Sequence, residues 1–73
     1  MAYKLTPKGD VYALHLTPNN PENAVLVYLY EHGRSGENVE IDELVGELRS
    51  SESVVLKVIN RLLNMENPYI KEV

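Results

Sequence analysis

The chain has 73 residues, no cysteine, and eleven acidic against seven basic side chains, for a formal net charge of −4. That length suits one small domain spanning residues 1–73, near the size at which a single core only just holds a fold together, and the lack of thiols excludes disulfides, thiolate metal sites and cysteine nucleophiles and points to a cytoplasmic setting. The negative balance repels a polyanion at long range, so any nucleic-acid contact needs a local basic patch.

In chain order, the N-terminus MAYKLTPKGD is polar and unlike a cleaved signal, and YKLTPKGDVYALHL, residues 3 to 16, reads as a β-hairpin. Pro7 fixes φ, Gly9 can take φ > 0, and Tyr12, Leu14 and Leu16 alternate with smaller or polar neighbours. A competing reading makes Thr6 an N-cap and Pro7 the first residue of a helix running to Leu16, with Val11 and Leu14 on one face; Gly9 in its first turns argues for the hairpin instead.

Asn20-Pro21-Glu22 supplies an N-cap, a proline at the first helical position and an early acid, which predicts a helix over 21–32 that stops at Gly33, a residue that can take the left-handed conformation common at helix ends. Its run AVLVYLY, Ala24 to Tyr30, is too short to cross a bilayer, so no membrane is expected. Being apolar on nearly every side, this helix is either the centre of the core or a homodimer seam. RSGEN, residues 34–38, has loop composition.

IDELVGELR spaces Ile41, Leu44, Val45 and Leu48 as one face of a helix over 41–49, with Asp42 and Glu43 at its positive end and Arg49 at its negative end. Ser50 or Ser51 can cap a further helix over 51–66, whose inner face is Val55, Val58, Ile59 and Leu62, widened by Leu56, Leu63 and Met65. Asn67-Pro68 then breaks the chain, and YIKEV, residues 69–73, alternates as a half-buried strand does.

The helix over 51–66 carries Ser53, Lys57, Asn60, Arg61 and Asn64 on one polar stripe opposite the inner face. Lysine and arginine neutralise phosphates or bond guanine, asparagine can bond adenine, and serine near a helix start can meet a phosphate. Two short helices joined by a turn of about three residues, with an earlier helix closing their core, make a helix-turn-helix.

LVYLYEHGRSGENVEIDELVGELRSSESVVLKVINRLLNMENPYIKEV resembles the winged-helix class of helix-turn-helix domains, of the small prokaryotic or archaeal regulator type. The resemblance rests on Leu44-Val45, Leu48, Val54 or Val55, Val58, Leu62 and Tyr69-Ile70, and covers about two thirds of the chain. It implies an α+β fold with a winged-helix-like three-helix core, and a third helix that enters the major groove of double-stranded DNA with Ser53, Lys57, Asn60, Arg61 and Asn64 at the exposed positions. YKLTPKG is similar to a stretch that follows the wing in some of these regulators and leads into a helix there. Here the strand at 69–73 has no following strand to make a wing, and the N-terminal hairpin is expected to pair with it, placing Lys4 and Lys8 on the sheet.

The expectation is therefore a transcriptional regulator working as a dimer, with phosphate contacts from Arg49, Ser51 and Lys8. Glu37, Glu40, Asp42, Glu43 and Glu47 oppose it electrostatically, and they favour the rival expectation of a protein-interaction module that docks a partner on this core. Tyr28, Tyr30 and Tyr69 are assigned to the core, as the chain has no Phe or Trp. His15 and His32 form no spaced ligand set, and no nucleophile–base pair or phosphate loop is apparent, so neither metal, cofactor nor catalysis is expected.

Overall fold

A computed structural model of the chain describes residues 2–33 and 38–73. Arg34, Ser35, Gly36 and Glu37 of the expected loop lie outside the described residues. The elements run β1 (Ala2–Leu5), α1 (Pro7–Ala13), α2 (Pro21–Gly33), β2 (Val39–Glu40), α3 (Ile41–Leu48), α4 (Glu52–Leu63) and β3 (Ile70–Glu72).

The fold is α+β: helices packed against a three-stranded antiparallel sheet of order β2-β1-β3, compatible with a winged-helix-like core. The N-terminal strand pairs with the C-terminal one as expected, with Leu5 opposite Ile70 and Lys4 opposite Lys71. The third strand is a different one. Ala2 and Tyr3 pair with Glu40 and Val39 of β2, so β1 is central and both its edges are satisfied.

Within residues 3–16, expected as a hairpin, Pro7–Ala13 instead forms α1; this is the helix of the competing reading, but it ends at Ala13 rather than at Leu16. Thr6 is the N-cap: its Oγ1 accepts from the Gly9 N–H at 3.1 Å, with Pro7 at the first helical position and Asp10 in the first turn. The argument from Gly9 against a helix fails because Gly9 answers to packing. A Cβ built there would lie 1.9 Å from the Tyr69 carbonyl oxygen, so only glycine lets α1 settle on the segment before β3. Val11 and Leu14 do share a face, but it points outward, at 66% and 55% exposure, while Gly9 and Ala13 face inward.

The first turn of α1 consumes the backbone of that segment. The Thr6 N–H donates to the Tyr69 carbonyl at 3.0 Å, the Thr6 hydroxyl to Pro68 at 2.7 Å, and Lys8 Nζ to Asn67 at 3.2 Å. Three consecutive carbonyls are thereby paired without a strand to receive them.

α2 starts as its sequence dictates, with Asn20 Oδ1 accepting from the Asn23 N–H at 2.8 Å. It packs on α1, α3, α4, β1 and β2, so its apolar circumference is explained by the monomer's own core, where Val25, Leu26 and Leu29 are buried. Gly33 is its last helical residue, where the helix is expected to stop, and it does not use the left-handed backbone open to glycine. That conformation occurs one helix later, at Arg49, the C-cap of α3, with φ 52° and ψ 36°.

α4 buries Val55, Val58, Ile59 and Leu62, the four residues that its periodicity puts inside. It ends at Leu63 with Asn64 as C-cap, three residues short of the expected limit at 66. Tyr28, Tyr30 and Tyr69 are half-buried against the core, and the one fully buried tyrosine is Tyr3 of β1.

Glycine substitutions test this packing with opposite signs. Gly9→Ala, which in an ordinary helix would add up to about 1 kcal/mol, should here lower the unfolding free energy by about 2 kcal/mol or more, because backbone stands in the way. Gly46→Ala on α3 meets nothing within 4 Å and should raise it by about 0.5 to 1 kcal/mol. Urea midpoints of the two variants, measured at unchanged slope, check both signs.

Candidate functional site

Helices α3 and α4 pack together and are joined by a short turn, Arg49 to Ser51, that is held at both ends. The left-handed Arg49 reverses the chain, the Ser50 hydroxyl donates to the Leu48 carbonyl at 3.3 Å, and Ser51 Oγ accepts from the Val54 N–H at 3.3 Å as the N-cap of α4. This clamps the angle at which α4 leaves the core, and hence the direction of its outer face.

Burial of Val55, Val58, Ile59 and Leu62 leaves Ser53, Lys57, Asn60, Arg61 and Asn64 exposed together on the opposite side of α4. Ser51 and Arg49 are exposed at the N-terminal end of the same helix. Seven of the eight candidate contact residues therefore belong to α4 and the turn before it. The eighth, Lys8, sits on α1, where its Nζ bonds Asn67 and lies 4.9 Å from the centre of the Tyr69 ring. Its ammonium group is engaged in joining α1 to the C-terminal segment.

One flank of the stripe forms a groove. Lys57 and Arg61, one turn apart, face Asn20, Pro21, Glu22 and Asn23 at the start of α2, with Val54 and Val58 and the Tyr12 side chain completing a space of about 630 Å³. Tyr12 is fixed there by stacking on Tyr69, ring centres 4.2 Å apart and 2° from parallel. Arg61 Nη1 lies 3.1 Å from Glu22 Oε2, an ion pair across 39 residues of sequence. Lys57 makes no ion pair or hydrogen bond among the described residues. Neither Glu22 nor Tyr12 stands out in the sequence as a neighbour of the stripe; only the amphipathic period of α4 hints that something must flank it.

Acidic side chains define a second face. Glu40, Asp42, Glu43 and Glu47 are exposed on β2 and α3, while Glu37 lies outside the described residues. The Tyr28 hydroxyl donates to the Glu43 carboxylate, which ties α2 to α3, and the Tyr28 ring stacks on His32 with centres 4.1 Å apart. The bond to Glu43, aided by burial and by the charges of Glu43 and Glu47, pushes the Tyr28 phenol up to about 12. Burial, with Glu72 and Glu40, also raises the Tyr3 phenol.

Among the described residues, no group of three or more His, Cys, Asp or Glu side chains is arranged to hold a metal ion, and no helix is long and apolar enough to cross a membrane. Comparisons with protein-family models, with curated proteins and with solved structures return no match to this chain.

The Tyr28–Glu43 bond has a measurable signature. Because the folded pKa of Tyr28 lies above its unfolded value of about 10, the bond stabilises fully below that pH and its contribution fades as pH rises through about 12. In a tyrosinate absorbance titration, the component lost in Tyr28→Phe should titrate near 12, and Glu43→Ala should return it towards 10.

Proposed function

We propose that this protein binds double-stranded DNA, as a transcriptional regulator, by laying the outer face of α4 in the major groove. The observation that carries this reading is the exposure of Ser53, Lys57, Asn60, Arg61 and Asn64 on the second helix of a helix-turn-helix whose entry angle is set by the caps at Arg49 and Ser51. Arg61 and Lys57 supply donors for guanine or phosphate, and Asn60 and Asn64 can bond adenine edges. Ser51 and Arg49, at the N-terminal end of α4, suit phosphate contacts that fix register.

A homodimer spanning two half-sites belongs to this proposal. With Val25, Leu26 and Leu29 used inside the monomer, a seam along 21–32 would draw on the half-buried Val27 and Tyr28. Lys8 adds charge to the sheet side, and its bond to Asn67 makes it a lesser phosphate ligand than Lys57.

A second reading, a protein-interaction module, is favoured by one observation: the exposed acids Asp42, Glu43 and Glu47 make α3 a negative surface beside α4. Its partner would be basic. The two readings part in one measurement, since a basic protein surface and a DNA duplex respond oppositely to the loss of those acids.

Titration with mixed-sequence duplex DNA at low salt tests the DNA reading directly. Arg61→Ala should weaken binding to a preferred sequence by about 1 to 3 kcal/mol, and Lys57→Ala should reduce the slope of log affinity against log salt by about 1. Amide shifts that stay unchanged along α4 as DNA is added would reject both roles.

A further inference from the structure

The Arg61–Glu22 pair joins the stripe on α4 to the first turn of α2, and its two partners are unequally held. Glu22 is 31% exposed and lies at the positive end of α2, where its carboxylate is stabilised, while Arg61 is 70% exposed at the end of a long side chain. Glu22 is thus the fixed partner and Arg61 the movable one. A carboxylate presents the guanidinium with the same charge and nearly the same donor–acceptor spacing as a phosphate.

We infer that Glu22 is a further determinant of polyanion binding: it occupies Arg61 as an internal counterpart of phosphate, so that DNA engages Arg61 only by displacing this carboxylate. The inference rests on the proposed DNA-binding role of α4. Lys57 lies one turn earlier in the same groove and has no such partner among the described residues, so it meets phosphate first and Arg61 follows by exchange. The exchange makes no new bond to the backbone of DNA at no cost; it trades one ionic partner for another. A sequence that gives Arg61 two hydrogen bonds, as a guanine does, repays the trade better than a single phosphate oxygen. Glu22 therefore lowers affinity for DNA in general while favouring contacts that use the guanidinium fully.

The test compares wild type, Glu22→Gln, Arg61→Ala, the double variant and Glu47→Gln, in titrations with one mixed-sequence duplex at several salt concentrations. Glu22→Gln should bind about fivefold more tightly, the change one exposed ion pair supports, with a salt slope steeper by about 0.9. In the Arg61→Ala background the same substitution should gain no more than Glu47→Gln does. Glu47→Gln removes an equal charge from α3 and should give a smaller change than Glu22→Gln. If wild type binds DNA and Glu22→Gln matches either wild type or Glu47→Gln, the role of Glu22 is overturned and the DNA reading stands. If no variant binds DNA, both fall together.

Discussion

Everything in this fold is arranged around the contact between the first turn of α1 and the three carbonyls of Asn67, Pro68 and Tyr69. A chain of this size has little core to spare, and its central strand β1 must be paired on both sides to leave no polar backbone group stranded. The contact solves that problem at one corner: Thr6 caps α1, pairs two of the carbonyls and hands the chain directly from β1 to the helix. Gly9 is the geometric condition for it, and Lys8 and Tyr12 extend it by gripping the Tyr69 ring from the same helix. With β3 so anchored, α4 has a fixed wall to pack on, and its outer face acquires a fixed direction.

Elements whose signals are local were legible in the amino-acid order. Asn20-Pro21 starts α2, Ser51 starts α4, and the spacing of Val55, Val58, Ile59 and Leu62 separates a buried face from an exposed one without any knowledge of the partners. What was not legible depended on contacts distant in sequence. Gly9 reads as a turn residue until Tyr69 is seen against it, and the two residues of β2 are too few to show alternation. The same division runs through the candidate site: the exposed stripe follows from helical period, whereas the Arg61–Glu22 pair, 39 residues apart, follows only from how α2 crosses α4.

Geometry and charge pull the functional reading in different directions, and the structure gives each a place. The geometry is concentrated on α4, where caps at both the turn and the helix start hold five polar side chains outward. The charge is concentrated on α3, whose acids are all exposed, Glu43 being also bonded to Tyr28. The two surfaces meet at the turn around Arg49. A residue with φ of 52° is costly for any side chain but glycine or asparagine, so the position is held by arginine despite the backbone preference. A cation there stands between the acids of α3 and the outer face of α4.

The bond from Thr6 to Pro68 spans 62 residues, and this separation orders events in time. Helices α2 to α4 can gather around Leu26, Leu29, Leu44 and Ile59 through contacts between neighbours in the chain, whereas β1 has no partner for its second edge until residues 70–72 exist. That edge of β1 must therefore wait for residues 70–72, although Tyr3 can already pair with Val39 of β2 and β1 can already pack on α2. Closing a loop of that length costs little more than closing one half as long, so the delay bears on the rate of folding far more than on the final stability.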